Sequence, residues 1–482
     1  MRHLFQLRNE LLSLIPRITT RALNPCEEAI LRKLTLLPLF LACLFAPLAA
    51  PQPQAPATPT PANGPLTGRW IIATDYLGTP MNLSMELEQR GEKLTGNFEG
   101  DKLEGSVSAN TVSFLAKDDQ GGSEKGSAVV QGDTISGTIL YTDGSNPSHP
   151  ITVSFKAKLV SALPSGTPKR HEFVPAVFYR QFSPFNPPVL VVAPGDTIHT
   201  TTVDAGGTDE KGVPRVMGGN PQTGPFYVES ATPGDTLVVH LTRIRLNRDW
   251  AMSDDFIVGR ALDSDLAVKM KDGGKNIRWH LDAERGVATP ESPAEHLAHY
   301  TVPLRPMMGC VAVATSLSSA PPSTGDSGDY GGNMDFNELI EGSTLYLPVN
   351  VPGALLYIGD GHAAQGDGEL TGNALETSMD VEFTVDIIPK KHIPGPRVES
   401  ATHIMALGLA GSLDSAFRDA TSNMADWLMN DYELTASEAA QVLGSAAEYK
   451  VSEVADRNAG IILKMNKERL QSFVRSTTPQ SK

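Results

Sequence analysis

The sequence predicts a mainly β fold with C-terminal helices: a small antiparallel β-barrel or meander, followed by a larger β-sandwich-like domain. Three observations carry this. Between Thr67 and Leu159, alternating runs such as TVSFLAKD and ITVSFKAKL follow glycine-containing turns, the period-two pattern of strands with one buried face. From Val174 onward, apolar runs recur behind Pro-Gly turns. Beyond Pro396 the apolar spacing lengthens to three and four residues, as one buried helical stripe requires.

The chain of 482 residues has room for two or three domains. It opens with basic residues (Arg2, Arg8, Arg17, Arg21, Arg32 and Lys33) ahead of the apolar run LTLLPLFLACLFAPLAA, Leu34 to Ala50. That order reads as an export signal, short and proline-broken for a membrane span. The expectation is an exported protein, periplasmic or extracellular, with no membrane span in the mature chain; an uncleaved leader acting as a membrane anchor is the alternative. PQPQAPATPTPANGP, residues 51–65, is an extended polar linker. Residues 1–65 are therefore read as signal and linker, 66–160 as an accessory antiparallel β-domain, and 165–482 as the main domain, with helices from about residue 400. Cys26 and Cys43 fall in the leader, leaving Cys310 alone, so the exported chain has no intrachain disulfide and relies on core packing. A formal net charge of −15 argues against nucleic acid or an anionic membrane as partner.

In the accessory domain GEKLTG, GDKLEG and GDTISG recur at Gly91, Gly100 and Gly132, each a turn feeding a strand. In the main domain Pro-Gly-Asp-Thr occurs at Pro194 and at Pro233. Pro then Gly suits the central positions of a type II turn, and the two copies read as equivalent hairpin entrances. Further strands are expected in STLYLPVNVPGALLYIGD and SMDVEFTVDII. Leu413, Phe417, Ala420, Met424, Trp427 and Leu428 then repeat at helical spacing, and TASE from Thr435 fits a capping box. These helices are expected to pack on the β core; a contact in a homo-oligomer such as a dimer is the alternative.

The segment GDGHAAQGDGE, Gly359 to Glu369, places two aspartates, a histidine and a glutamate among small residues directly after the apolar run GALLYIGD. Asp360 and His362 are thus expected at the end of a buried strand. Imidazole and carboxylate are ligands that zinc accepts, and an open metal site activates water; the rival reading is a solvated Gly-Asp loop with an incidental histidine. Asp335 of GGNMD, Asp204 of VDAGG and Glu229 of FYVES offer further carboxylates, each also compatible with an ordinary turn or strand end. GDSG at Gly325 is similar to a serine-protease nucleophile loop but lacks that family's histidine segment. Cys310, inside MMGCVAVA, reads as a small buried hydrophobe, and His296 and His299 of HLAH as a surface pair.

Four segments, NPQTGPFYVESATPGDTLVVHL, LRPMMGCVAVA, GGNMDFNELIEGSTLYLPVNVPGALLYIGDGHAAQGDGE and GNALETSMDVEFTV, together resemble the acetamidase/formamidase family over about Phe173 to Phe473. The resemblance implies a β-rich fold, hydrolysis of small linear amides by a metal-activated water, and a divalent ion, zinc first among the choices. Some relatives act on lactams, and an exported binding protein without turnover is the alternative from another class. Carried over by position, Asp204, Asp335, Asp360 and His362 become the metal-side residues, and Glu369, with His362, the catalytic ones. The leader and residues 66–160 stand outside that family's usual layout.

If the leader is removed on export, intact mass measurement of the protein from its native host will place the first residue between Pro51 and Thr60. A mature chain that retains Leu34 to Ala50 would instead indicate an anchored protein.

Overall fold

The computed structural model describes residues 64–160, 166–270, 273–471 and 473. The leader with Cys26 and Cys43, and the linker up to residue 63, lie outside these described residues. Eight strands form a closed antiparallel barrel: β1 (Gly68–Tyr76), β2 (Thr79–Arg90), β3 (Lys93–Phe98), β4 (Asp101–Ser108), β5 (Thr111–Lys117), β6 (Ser123–Gln131), β7 (Thr134–Thr142) and β8 (Ile151–Leu159). Each strand pairs with its neighbour in sequence, and β8 returns to β1. Strand alternation sends Trp70 and Ile72, Leu83 and Met85, Phe114 and Ala116, and Val153 and Phe155 inward. The three repeated turns sit between strands. At the second, Glu99 and Gly100 both have positive φ, 51° and 98°, the backbone that a tight right-twisted hairpin requires.

The main domain is built, among the described residues, from a twelve-stranded and a nine-stranded sheet. Their shared core includes Phe226 from the first and Phe383 from the second, whose rings lie 5.5 Å apart, edge to face. The Pro-Gly-Asp-Thr turns are locally equivalent, as expected. Gly195 and Gly234 have φ of 90° and 87°. The Asp196 and Asp235 carboxylates each accept the backbone N–H three residues earlier, at 3.0 Å. Neither turn opens a hairpin, however. They feed strands Thr197–Thr201 and Thr236–Leu246, which flank the much later strand Met379–Ile388; local turn chemistry specifies a reversal but not the partner.

The strand Leu356–His362 runs within the twelve-stranded sheet, paired with Met307–Ala312 and, at its end, with Glu376–Thr377. Both of its faces are buried along its whole length. That explains why it opens on an apolar run, Leu356 to Ile358, rather than alternating.

Helix α1 (Leu413–Asp431) and helix α2 (Ala436–Ala446) follow, and they pack on the β core. Ala416, Ala420, Met424, Trp427 and Leu428 of α1 are buried, whereas Leu413 and Phe417 at its start are exposed, Phe417 stacking on Tyr449. Thr435 and Glu438 exchange the two hydrogen bonds of a capping box. Gly408 lets α1 approach strand His403–Ala410 closely: an added Cβ would lie 1.9 Å from the Ala416 carbonyl oxygen and 2.4 Å from the Ala420 nitrogen. Both are backbone atoms, so the helix itself would have to shift. Gly408→Ala is therefore expected to destabilise the main domain by about 1–3 kcal/mol or more, read as a lowered midpoint of denaturant unfolding.

Candidate active site

His362 ends the buried strand Leu356–His362 and is itself fully buried. Its Nδ1 lies 2.9 Å from Gln365 Oε1, while Gln365 Nε2 donates to the Asp335 and Ser452 carbonyls. Those two donations fix the Gln365 amide with its oxygen toward the imidazole, so Nδ1 carries the proton in this bond. Nε2 is thereby turned toward three carboxylates: Glu376 at 3.1 Å, Asp360 at 3.4 Å and Asp335 at 4.0 Å. Although these oxygens are near, none lies where Nε2 has a directional hydrogen bond.

Three of the acids occupy backbone conformations that L residues rarely adopt. Asp335, Asp360 and Glu369 have φ of 41°, 59° and 45°. Each such residue costs about 1–3 kcal/mol, and such outliers gather at functional sites. Gly309 makes room for two of them. It stands opposite Asp360, where the ladder between Met307–Ala312 and Leu356–His362 skips a pair. A Cβ there would come within 2.5 Å of Asp360 Oδ2 and 2.6 Å of Asp335 Oδ1. Glu369 reaches the site because its loop is pinned: Gly368 donates to Ser452 O and accepts from Val454 N–H. The same bridge delivers Glu453 and, three residues on, Asp456.

The result is a box of buried acids around one imidazole. Two overlapping groups have ligand atoms mutually within 4.8 Å, Asp335–His362–Glu369 and Asp360–His362–Glu376; Asp335–Glu453–Asp456 forms a third. Burial, then neighbouring negative charge, pushes the carboxyls of Asp335 and Glu369 well up. Burial raises Glu376 to about 7 and Glu453 to about 9. Burial also opposes charge on Asp360, but His362 prevails and holds it low. His362 in turn is driven up by Glu376 and Asp360 against its own burial. The asymmetry has one physical source, more negative charge than one imidazolium can neutralise. Asp335 Oδ1 and Oδ2, His362 Nε2 and Glu376 Oε2 are buried with no hydrogen-bond partner. Buried polar atoms of native proteins are nearly always paired. Unpartnered carboxylate oxygens gathered around an imidazole nitrogen are donor types that could hold a divalent cation.

A cleft of about 490 Å³ opens onto this box, lined by Asp360, Glu369, Glu376, Asp204, Asn220 and Trp250 among others. Asp360, His362, Asp335 and Glu369 are thus brought together. Asp204 reaches the same cleft but faces a different partner: Arg248 donates to it at 2.7 Å. It belongs to none of the three groups that could share an ion. Glu229 is exposed, just past strand Gln222–Val228. Cys310 is fully buried, and burial pushes its thiol up, as a small hydrophobe requires. His296 and His299 are exposed.

Sequence reasoning missed several residues. Glu376 lies in GNALETSMD, a segment read only for its resemblance. Its alignment across from His362 in neighbouring strands was visible only once the pairing was known. Glu453 and Asp456 follow α2, far from every motif, and carry no local signal. Arg248 is buried, hydrogen-bonds Thr377 as well as Asp204, and stacks 3.5 Å from the centroid of the Trp250 ring. Asn220, Asn333 and Asp456 form a hydrogen-bonded chain along the wall.

Comparisons with known proteins agree with the resemblance read from the sequence. A model described as the Acetamidase/Formamidase family matches residues 312–456. A relative from Schizosaccharomyces pombe is 29% identical over 193 residues, 31% of this chain and 47% of that protein. The formamidase of Methylophilus methylotrophus is 38% identical over 78 residues, 16% and 18% of the two chains. The chain thus spans about half or less of the length of the curated relatives it matches. Among solved structures, an acetamidase from Yersinia enterocolitica aligns with a TM-score of 0.55 at 27% identity, covering 64% of this chain and 94% of that one. An acetamidase from Bacillus halodurans gives 0.53 at 27%, covering 63% and 100%.

Gly309→Ala is expected to leave the fold intact while displacing Asp335 and Asp360. Zinc titrated into the metal-stripped variant should bind at least ten-fold more weakly than to the unsubstituted protein, as followed by calorimetry.

Proposed function

We propose that the chain hydrolyses the C–N bond of small linear amides, of the size of acetamide or formamide, to carboxylate and ammonia. The observation that carries this reading is the set of partnerless buried atoms, Asp335 Oδ1 and Oδ2, His362 Nε2 and Glu376 Oε2, beneath an open cleft. The similarity to acetamidases and formamidases supplies the reaction class.

The group Asp360, His362 and Glu376, with Asp335 4.0 Å from the same imidazole nitrogen, would fit a divalent ion, zinc by the mix of oxygen and imidazole donors. When bound there, such an ion would supply Lewis acidity and an activated water. The remaining work belongs to the chain. Gln365 holds the His362 ring in the tautomer that leaves Nε2 free for coordination. Glu369, which lines the cleft rather than lying behind it, is the base that takes the proton of the attacking water and returns it to the departing nitrogen. Its backbone strain and the hydrogen bond its Oε1 accepts from Ala374 N–H hold the carboxylate in one place. Arg248 pins Asp204 and braces Trp250 at the wall; Asp204 therefore shapes the cleft rather than completing the ion's shell. The leader read from the sequence supports an exported enzyme.

The pair Glu369→Gln and His362→Ala tests the division of roles. Glu369→Gln should keep the metal and lower ammonia release from acetamide by about 10²–10⁴-fold. His362→Ala should lose the metal, as read by elemental analysis. Loss of metal in Glu369→Gln with retention in His362→Ala would reverse the assignment.

A further inference from the structure

The barrel lumen is filled unevenly. Phe114 stacks on Phe98 and meets Phe155 edge-on, with centroids 6.1 and 6.3 Å apart. The ring of Phe114 occupies the space that Gly126 leaves, since a Cβ there would lie 2.1 Å from it. A cavity of about 750 Å³ lies at the barrel mouth where it meets the main domain, bordered also by Ser84 and Glu86 and by Thr232, Pro233 and Ser318; its size is within the range of small-molecule sites. Its apolar wall is Trp70, Leu83, Met85 and Phe98. Tyr76 and Tyr141 meet edge to face at its rim, 5.5 Å apart.

Two acids stand at positions that strand alternation assigns to the lumen. Asp101 precedes buried Leu103 by two residues on β4; Glu124 stands in the same alternation as Ala128 on β6, paired with Ala116 and Tyr141. A barrel packed only for stability has no use for carboxylates in its interior row. Glu124 Oε2 is buried without a hydrogen-bond partner. Burial, then Asp101 and Asp118, pushes the Glu124 carboxyl up to about 7, the sign of a missing counter-charge. Among the described residues that line the cavity, Arg69 is the sole basic one, and it is committed to Thr232 and Asp235 of the main domain. Leu317, packed against both hydrophobic cores, also lines the cavity.

We propose that the barrel mouth binds a small amphiphilic cation. Its apolar body would lie on Trp70, Leu83, Met85 and Phe98, and its amine or quaternary ammonium head among Glu124, Asp101 and the rings of Tyr76 and Tyr141. Carboxylates and aromatic faces together form a favourable surroundings for such a head. The site uses none of the residues of the proposed amidase cleft, so it stands or falls independently of that reading.

Calorimetric titration of the full chain with decyltrimethylammonium, and separately with decyl sulfate, both below their micelle concentrations, tests this. The cation should bind saturably at one site per chain and at least ten-fold more tightly than the anion. Glu124→Gln, which keeps the side chain's shape, should weaken the cation at least ten-fold with an unchanged thermal midpoint; Leu83→Trp, which fills the cavity, should weaken it at least ten-fold in a protein that still folds. Should Leu83→Trp fail to fold, Asp101→Asn replaces it with the same expectation. Absence of saturable cation binding, equal binding of the two surfactants, or binding indifferent to the substitutions would overturn the proposal.

Discussion

Removing several carboxylates from water around a single imidazole is the constraint on which this structure turns. Asp335, Asp360, Glu369 and Glu376 are all nearly or fully buried beside His362. An unpaired buried charge costs several kcal/mol even after relaxation. One imidazolium offsets one carboxylate, and the imbalance is visible in the upward displacement of Asp335, Glu369, Glu376 and Glu453. A divalent cation held at this imidazole would offset that imbalance, because unpartnered carboxylate oxygens flank Nε2.

The rest of the main domain serves to hold that arrangement. A strand buried on both faces carries Asp360 and His362 into the interior, and Gly309 leaves the space their neighbours need. Gln365 ties the imidazole to two backbone carbonyls from different segments, so the ring cannot turn without breaking a network. The bridge between Gly368 and Glu453 joins the loop that carries Glu369 to the segment after the helices. Strain at Asp335, Asp360 and Glu369 persists because packing on every side over-determines these residues. The main domain's helices matter to the site only indirectly: by packing on strands His403–Ala410 and Ala459–Asn466 they steady the sheet edge from which Glu453 arrives.

What was legible in the sequence was local. Alternation in TVSFLAK and ITVSFKAKL gave barrel strands because one face of each is buried and the other wet. Thr435 and Glu438 announced a capped helix because the two hydrogen bonds involve only four consecutive residues. Asp360, His362 and Glu369 share one loop and one strand, so their juxtaposition could be read before folding; Asp335 stood out as a further carboxylate beside glycines, and the resemblance assigned it to the metal side. Strand order was not legible: equivalent turns at Gly195 and Gly234 say nothing about pairing with Met379–Ile388. Glu376, Glu453 and Arg248 reach the site through ladders and loops that close over long separations, and each would pass in isolation as an ordinary strand or turn residue. The acids inside the barrel hid for a different reason. Asp101 and Glu124 sit at strand starts, where a polar residue is expected in solvent, and only closure of the barrel turns them inward.

If the buried box requires a cation, the stability of metal-stripped protein before and after zinc is returned will show it. Ligand present at 100 times its dissociation constant stabilises a protein by about 2.7 kcal/mol when it binds only the folded form. Adding zinc in excess should raise the thermal midpoint, with magnesium giving little, because magnesium disfavours imidazole. A thermal midpoint that zinc leaves unchanged, in a protein shown to be folded, would contradict the requirement for a cation.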